Sequence, residues 1–551
     1  VVIGVRNASH GMAEIQSARS RLSASDIVAE GPTKYLRVAG RDFDAAHAAL
    51  DSPLLAPVEI LPVIGRQLRS VQALSNAAAQ VSHIGVVVLT RAHGILSTPH
   101  ASGPARIAVL RSLSALAAST DRRLGTIDTG PSVALLGPLA TKHDTFVHDL
   151  ASLRTRLQNA ANTTAAVAGI LQGPQTYLLL MSNNAEMRAG SGAFLTIGVL
   201  QSKEGVLHLS DVEQASSLAL PAAGVPVGTD LEELWGWAGP GADARNLGLT
   251  PQFDVTGPLA ASMWSASTGQ SVNGVLAVDV LALQQVLQVT GPFTLADGTK
   301  VGPQNVVELL THDQYVGLSD EGASGATQAR TDELGAIAHG ALGALQGESL
   351  DMRSLAGAMA AMAAGRHLMA WSSRPSTESA WLGAGVAGDI TGKTAMAAVV
   401  NRGGNKLDQY LTVNVSLRFD RGKHFTDATL SVDLRNQVPP GQSQYIAGPF
   451  PGLGTVYGEY TGLLALNLPA VASDLRLGSG PRLVAIGAEG PAWLLSATAD
   501  VLAGQQERLV VTFHLPEHGS MTVEPTARLS PEVWDVAGRR FTDAGPVSVN
   551  W

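Results

Sequence analysis

The spacing of apolar residues changes twice along the chain, and this change constrains the fold more than any single motif. Residues 8–170 carry apolar side chains in steps of three and four, as in Phe146, Leu150 and Leu153. Residues 174–345 interleave short apolar runs with helical segments. Beyond about residue 395, apolar and polar residues alternate, which is the period of a strand with one buried face. A chain of 551 residues with these changes is too long for one core and predicts several domains.

Residues 1–172 are predicted to form a helical bundle or stalk of three to five helices. The apolar stripe that begins at Phe146 keeps one helix face towards a partner helix. Proline and glycine place breaks around 53–65, 98–104 and 129–138. A membrane-proximal coiled coil that pairs with a second chain is the alternative.

Residues 173–346 are predicted to form an α/β domain, because strands and helices alternate in a way that favours helices packed on a mixed sheet. Residues 347–394 are predicted to be a helical connector, with an alanine-rich helical passage at 349–371. The predicted strands lie at 177–181, 193–201, 205–211 and 274–279, and the predicted helices lie near 256–268, 279–289, 303–311 and 329–346.

Residues 395–551 are predicted to form an antiparallel β-sandwich of one or two sub-domains. Alternation is clear at 411–419, 430–434 and 509–515, and Pro439-Pro440-Gly441 supplies one of the turns between strands. The predicted fold class is therefore multidomain α+β, with an N-terminal helical bundle, a central α/β domain and a C-terminal antiparallel sandwich.

Charge and composition exclude some partners. The chain has 37 Lys and Arg against 46 Asp and Glu, a net charge of −9, which argues against nucleic acid because phosphate binding needs a basic face. No cysteine is present, so disulfides and thiolate metal sites are excluded. No run of 18 apolar residues occurs, which favours a soluble body, and the opening VVIGV is either a first strand or helix or the remnant of a removed signal or membrane helix.

Catalytic signatures are mostly absent. Neither HExxH nor GxSxG occurs. The strings GAGVAG at 383–388 and AGDITGKT at 387–394 lack the preceding strand and following helix that nucleotide-binding loops require. The histidines are scattered and do not support a zinc site.

Polar residues in the α/β region are the candidate site. Arginine suits a phosphate ligand because its planar fork donates two hydrogen bonds and keeps its charge. The alternative is a structural polar network in which these residues pair with one another and cap helices. The candidate anion-binding residues are Asn183, Asn184, Glu186 and Arg188 in the turn after the first strand, Arg245 and Asn246 before a helix, and Arg330 at the start of a later helix.

Two carboxylates are candidate metal ligands. Asp254 precedes one helix, and Asp279 ends the apolar strand GVLAVD, where it could also cap the helix that follows. Either could hold a divalent cation such as Mg²⁺ that bridges to a phosphate.

Several segments resemble one known family. The string NNAEMRAGSGAF at 183–194 is similar to the pattern NNxExRxxGGF of a family catalogued as domain of unknown function number four thousand and twelve. RNLGLTPQFD at 245–254, NRGGNKLDQYL at 401–411 and PPGQSQYIAGP at 439–449 resemble further segments of that family. Ser191 stands where the family has glycine, and Gln252 replaces its aspartate. The family is found in actinobacterial and other Gram-positive envelopes, and its members usually carry an N-terminal membrane helix, so the resemblance implies a location outside the membrane.

A more distant resemblance is to the LytR-CpsA-Psr enzymes, which transfer glycopolymers from a polyprenyl carrier to the cell wall. Arg188 falls on an arginine of their first motif, but Gly190 replaces its metal-binding aspartate. Asn246 and Arg330 align with an asparagine and an arginine of these enzymes. The arginine of their second motif has no counterpart, so the resemblance implies a shared scaffold without shared catalysis.

Three functional hypotheses follow. The first is an extracytoplasmic cell-envelope protein that binds an anionic cell-wall glycan or a polyprenyl-phosphate-type ligand without turnover, anchored by a removed or absent N-terminal helix. The second is a structural or adhesive surface protein that assembles with itself or with another envelope protein. The third is a glycopolymer transferase in which Asp254 or Asp279 replaces the missing carboxylate, with Mg²⁺ as a possible cofactor.

Overall fold

The computed structural model describes residues 11, 30–97, 102–316, 323–347, 350–450 and 452–551. The chain divides into two compact units. The described residues among 1–172, together with 351–357, form the first unit, and the described residues among 173–350 and 358–551 form the second.

The first unit is helical, as the apolar spacing predicts. Ser102 caps the fourth of these helices by accepting a hydrogen bond from the Ala105 amide, and a proline occupies its first turn, where a missing N–H costs nothing. The predicted breaks at 53–65 and 129–138 coincide with the ends of helices, whereas residues 98–101 lie outside the described residues. The helices are α1 (Glu30–Leu50), α2 (Ala56–Glu59), α3 (Ile64–Ser97), α4 (Gly103–Leu124) and α5 (Gly137–Gln172).

Helix α3 packs along α1, and α4 packs along α5. A small core joins Ala39 and Phe43 of α1 to Ala78 and Ala79 of α3, with Phe146 of α5 beside it. Among the described residues, α3 alone is long and apolar enough to cross a membrane, and a third of its apolar window is buried within the structure. Length and composition of this kind are also typical of the core helix of a folded domain.

The second unit begins with a mixed sheet, as predicted. Its strands lie in the order β3-β2-β1-β5-β8, with β4 paired to β2, and only β1 and β5 run parallel. These strands are β1 (Gln175–Met187), β2 (Gly192–Lys203), β3 (Val206–Leu209), β4 (Glu213–Gln214), β5 (Gly274–Asp279) and β8 (Leu368–Ser372), and a separate ribbon pairs β6 (Phe293–Thr294) with β7 (Lys300–Val301).

Helices surround this sheet and connect its strands. Helix α7 contacts β5 and β8, and α8 contacts β5 and β1. The remaining helices along the chain are α6 (Thr229–Trp235), α7 (Phe253–Thr268), α8 (Val280–Thr290), α9 (Val306–Thr311), α10 (Ala323–Leu345), α11 (Met352–Ala364), whose residues up to 357 belong to the first unit, α12 (Pro375–Ala384) and α13 (Gln444–Ala447).

Two local predictions are wrong. The alanine-rich passage 349–371 is not helical throughout, because α11 ends at Ala364 and β8 then pairs antiparallel with β5 at the sheet edge. A strand of five residues inside an alanine-rich run gives too short an apolar signal to be separated from a helix. The first strand also continues to Met187, six residues beyond the predicted end, so Asn183, Asn184 and Glu186 lie on β1 and not in the turn.

The C-terminal part of the unit contains two six-stranded sheets. One has the order β13-β16-β11-β10-β18-β19, and the other has the order β14-β15-β12-β9-β17-β20. The strands are β9 (Thr394–Asn401), β10 (Leu411–Arg421), β11 (Thr426–Asn436), β12 (Tyr460–Leu468), β13 (Ser473–Leu477), β14 (Leu483–Glu489), β15 (Ala492–Val501), β16 (Gln506–Leu515), β17 (Ser520–Val523), β18 (Val533–Val536), β19 (Arg539–Thr542) and β20 (Val547–Asn550).

Strands β9 and β12 of the second sheet are buried on both faces. Ala397 and Val399 of β9 belong to the core shared with the other C-terminal sheet. Ala398 and Val400, which point the other way, belong to the core shared with β1, β5 and α7. Because successive residues of a strand face opposite sides, one strand contributes to both cores. The mixed sheet and the C-terminal sheets therefore form layers of one packed body.

Candidate functional site

The carboxyl ends of the parallel strands β1 and β5 meet at one edge of the mixed sheet, which is where α/β folds usually bind ligands. Asp279 ends β5, and Ser182 lies opposite it on β1. Between Asn183 and Met187 the pairing of β1 with β2 shifts register. This bulge carries Asn184 and Glu186, so polar side chains are gathered where the two strands end.

Two glycines of the turn after β1 allow the backbone to close. A Cβ on Gly192 would lie 2.2 Å from the Asn183 carbonyl oxygen, and one on Gly190 would lie 2.8 Å from the Thr250 carbonyl oxygen. Larger residues cannot occupy these positions without moving backbone atoms. Ser191 places its Oγ 3.0 Å from the Ser182 Oγ, so this residue contributes to the polar cluster.

Glu186 is held between two cations. Its Oε1 accepts from Arg188 Nη2 at 3.2 Å, and its Oε2 accepts from Lys406 Nζ. All three side chains are at most about 10% exposed. Burial raises the pKa of Glu186, but the charges of Lys406 and Arg188 lower it by more, so that the net pKa is about 2. The carboxylate is therefore ionised and serves as the shared counter-ion of two buried cations.

The Arg188 guanidinium is committed to groups of the protein. Besides Glu186, its Nη1 donates to the carbonyl oxygens of Met187 and Asn401, each at 3.0 Å. Ligand binding at this side chain would require these bonds to break. The arrangement is that of a structural polar network, the alternative that the sequence left open.

Residues 401–408, between β9 and β10, supply the other half of the network. The Asp408 carboxylate accepts from the Met187 amide at 2.9 Å, from Asn401 Nδ2 at 2.8 Å and from the Tyr460 hydroxyl at 3.1 Å. Burial raises the pKa of Asp408, and Arg528 beside it acts in the opposite direction. The segments NNAEMR and NRGGNKLD, 213 residues or more apart, thus form one buried structure. Lys406 and Asp408 were not predicted as site residues. The segment that contains them, NRGGNKLDQYL, was identified in the sequence only by its resemblance to a family segment.

Asn183 and Arg330 meet a pair of stacked tyrosines. Asn183 Nδ2 donates to the Tyr315 hydroxyl at 2.8 Å, and the Tyr315 and Tyr445 rings stack with centroids 5.4 Å apart. Arg330 lies 4.8 Å from the Tyr445 ring and donates to its hydroxyl at 3.3 Å. Lys406 Nζ is 5.3 Å from the Tyr315 ring, so cation–π contacts place Arg330 and Lys406 beside the same two rings.

Asn184 belongs to a second branch of the network, around Asp279. Asp279 Oδ1 accepts from the Ala282 amide at 2.8 Å, which confirms the predicted helix cap on α8. Its Oδ2 accepts from Asn184 Nδ2 at 2.8 Å and lies 2.7 Å from His367 Nδ1. Burial lowers the pKa of His367, but Asp279 raises it more, so the net pKa is above its usual value. Asn184 also donates to the Ala527 carbonyl, which ties this branch to the C-terminal sheets.

Arg245 and Asn246 are less buried than Arg188. Arg245 forms a two-point ion pair with Asp243, with Nε at 3.0 Å and Nη2 at 2.5 Å, and its side chain is 55% exposed. Burial raises the pKa of Asp243, but its bonds to Arg245 and the charge of Arg188 lower it overall. Asn246 donates to the Ala238 carbonyl at 2.7 Å and braces the loop that carries Arg245.

The predicted metal ligands do not share a cluster in the described part of the chain. Asp254 is exposed in the first turn of α7, whereas Asp279 is buried and accepts three hydrogen bonds. The only group of three possible metal ligands among the described residues consists of Glu308, His312 and Asp313. Both His312 nitrogens already lie within hydrogen-bond distance of Asp313 and Gln442. A magnesium site at Asp254 or Asp279 stays a prediction.

The three candidate arginines therefore occupy different settings. Arg188 is buried in the Glu186 network, Arg330 joins that network through the two tyrosines, and Arg245 lies at its margin in its own ion pair. Glu186, the partner of Arg188, is one of the predicted site residues, whereas Asp243 and Tyr445, the partners of Arg245 and Arg330, are not.

Residues 172–315, about a quarter of the chain, match a family described as protein of unknown function (DUF4012). No curated protein matches the chain. No solved structure matches it. The matched residues run from the end of α5 through β1, β5 and α8 to Tyr315, so they contain every candidate site residue except Arg330, and this part of the chain is a domain of unknown function.

Proposed function

We propose that this chain is a non-catalytic structural protein of the bacterial cell envelope, exported from the cytoplasm, which assembles through its C-terminal sheets. In this proposal the two C-terminal sheets form a β-sandwich, and the α/β domain, on a scaffold like that of the LytR-CpsA-Psr enzymes, is permanently fixed to it. The single observation that carries the proposal is that Glu186 holds Arg188 and Lys406 as a buried, ionised cluster.

The position of this cluster is what favours a structural role. The edge where β1 and β5 end is the usual ligand crevice of an α/β sheet. Here Lys406 and Ala527 of the C-terminal region contact Glu186 and Asn184 at that edge. Side chains that would recognise an anion are instead bonded to the neighbouring layer, which supports fixation over binding.

Contact with another copy is favoured at a sheet edge. β14 is the first strand in the order of its sheet, and Leu483 and Ile486 on it are each more than two-fifths exposed. An exposed apolar edge strand offers unpaired backbone groups and apolar side chains to a partner strand. The self-assembly part of the proposal rests on this edge.

Native mass spectrometry over a concentration series tests the assembly. We expect oligomers for the wild type and their loss in Leu483→Lys/Ile486→Lys, because charge on an edge strand opposes pairing. A matched control is Leu453→Lys/Leu502→Lys, two exposed leucines outside β14. A wild type that remains monomeric at the highest concentration would contradict the proposal.

The second candidate is binding of an anionic glycan or a lipid-linked phosphate. The observation in its favour is that the Arg245 side chain is 55% exposed beside the buried cluster. A thermal-shift titration with a short polyprenyl phosphate distinguishes it from the structural proposal. Stabilisation that is lost in Arg245→Ala and retained in the exposed control Arg476→Ala would favour binding.

The transferase hypothesis ranks third. It requires a carboxylate that can hold Mg²⁺, and Asp279 already accepts three hydrogen bonds. An assay of glycopolymer transfer with magnesium tests it directly, with Asp254→Asn and Asp279→Asn as variants. Turnover that Asp254→Asn abolishes would move this hypothesis to first place.

A further inference from the structure

Two connections at one end of the first unit lie side by side. Residues 51–63 lead into α3, and residues 125–136 lead into α5. Gln67 joins them, because its Nε2 donates to the Ala134 carbonyl at 3.1 Å and its Oε1 accepts from the Leu136 amide at 3.0 Å. Arg66 Nη1 donates to the Val133 carbonyl at 3.4 Å. We call residues 53–64 and 131–136 the apolar tip.

The apolar tip exposes large aliphatic side chains. Leu54 is 87% exposed, Ile60 82% and Val133 73%. Isolated exposed leucines are common on proteins. Seven large aliphatic side chains exposed on two connections, which Arg66 and Gln67 join at the start of α3, are more than such isolated residues and indicate a binding surface. The other exposed members of the patch are Leu61, Val63, Ile64 and Leu136.

The apolar tip has almost no charged residues, as expected of a segment that enters the hydrocarbon region of a bilayer. Between 129 and 141 no residue is charged, and between 53 and 64 only Glu59 is. Arg66 lies at the boundary, half-buried, directly behind Val133. If the aliphatic side chains of the tip enter the acyl region, the Arg66 guanidinium lies at the level of the lipid phosphates.

The backbone of the apolar tip also suits a medium without water. In hydrocarbon each unsatisfied N–H or C=O is costly. Within the tip, the Leu55 amide donates to the Ser52 carbonyl at 2.8 Å, and the Leu136 amide donates to Gln67 Oε1 at 3.0 Å. The carbonyls of Leu61 and Leu136 accept from the Gly65 and Ala140 amides at 2.8 and 2.9 Å. Five prolines in or beside the tip have no N–H at all: Pro53, Pro57, Pro62, Pro131 and Pro138.

We infer that the apolar tip inserts into the surface of a lipid bilayer, with Arg66 beside the lipid phosphates. A protein partner fits the composition less well, because protein interfaces are anchored by aromatic residues and arginine, and the tip contains no aromatic residue. This lipid contact belongs to the helical unit and is independent of the assembly edge at β14.

An environment-sensitive label tests insertion directly. The chain has no cysteine, so Val133→Cys in the full chain can be labelled at a single position with nitrobenzoxadiazole. We expect a blue shift and increased emission on addition of phosphatidylcholine vesicles. Leu502→Cys, on an exposed leucine of the second unit, is the control and should not respond.

Cosedimentation with vesicles tests the side chains. Leu54→Ser/Ile60→Ser/Leu136→Ser should reduce partitioning at least about tenfold, because each aliphatic side chain contributes transfer free energy. Val471→Ser/Leu453→Ser/Leu502→Ser removes three side chains of the second unit that are each at least half exposed and should leave partitioning unchanged. Arg66→Gln should remove any preference for vesicles that contain phosphatidylglycerol.

Three outcomes would overturn the inference. One is the absence of a blue shift at position 133 with either kind of vesicle. Another is an equal loss of partitioning in the tip variant and the control variant. The third is a blue shift that follows protein concentration without vesicles, which would make the apolar tip a contact between copies of this chain.

Discussion

Lys406 donates a hydrogen bond to Glu186, a carboxylate 220 positions earlier in the chain, and both side chains are buried. Glu186 also accepts from Arg188, so one carboxylate compensates two cations. Burying charge is costly unless a counter-charge and hydrogen bonds accompany it. Where the mixed sheet meets the C-terminal layers, this one acid therefore supplies the counter-charge for both buried cations.

Glu186→Gln should destabilise the protein strongly. The substitution leaves Arg188 and Lys406 buried without their shared counter-charge, for which we expect a loss of about 3–5 kcal/mol in the free energy of unfolding. Urea denaturation followed by circular dichroism measures it. Asp243→Asn, which breaks the more exposed pair with Arg245, is the control and should cost about 1 kcal/mol or less. Similar losses in the two variants would contradict a structural role for Glu186.

The contribution of Glu186 should disappear in acid. Its pKa falls from the usual 4.5 to about 2 on folding, so its stabilisation is fully present above about pH 4.5 and is lost as the pH falls through about 2. We expect the stability difference between wild type and Glu186→Gln to shrink over that window. Because other buried acids titrate as well, the difference between the two proteins is the quantity to measure. A difference that stays constant from pH 6 to pH 2 would show that folding does not lower the pKa of Glu186, which would contradict its role as the counter-ion of two buried cations.

His367 should have the opposite dependence on pH. Although burial lowers its pKa, Asp279 and then Asp543 raise it more, so the folded pKa lies above the usual 6.5. The stabilisation of the fold by protonated His367 is therefore complete below about pH 6.5, and it is lost as the pH rises through the raised pKa of His367. His367→Asn should cost most at acidic pH and least at alkaline pH. The exposed His424 provides the control variant His424→Asn, whose effect should be small at each pH.

The loss of stability caused by Glu532→Gln should become smaller as the pH rises. Burial and the neighbouring Asp543 raise the pKa of Glu532 well above its usual value. The unfolded chain therefore loses this proton first, and the wild type loses stability as the pH rises from about 4.5 towards the raised pKa, at about 1.4 kcal/mol per unit. The glutamine does not titrate, so the stability of the variant rises relative to that of the wild type in that pH range. Glu517→Gln, at an exposed position, should show no such gain.

Local features of the fold could be predicted from the sequence. Asp279 ends an apolar strand before a helical segment, and its cap on the Ala282 amide follows from neighbouring residues alone. The helices of the first unit follow in the same way from the spacing of apolar residues. Strands such as β10 and β11 follow from alternation because one of their faces is buried.

Features that depend on distant residues could not be predicted. The strand β9 has all eight residues buried, because two different layers cover its faces, and its sequence therefore lacks alternation. Strand β8 is stabilised by its pairing with β5, about 95 residues earlier, and not by its own composition. The misreading of residues 368–371 as helix arises because tertiary contacts override local propensity.

The amino-acid sequence is sufficient to place Asn183, Asn184, Glu186 and Arg188 near the end of an apolar strand. Whether Arg188 faces a ligand or a carboxylate depends on the folded arrangement, because charge–charge energies depend on distance and burial, which separation along the chain does not reveal. Folding brings Lys406 and Asn401 to the end of β1, and those contacts convert a candidate binding motif into an internal ion pair.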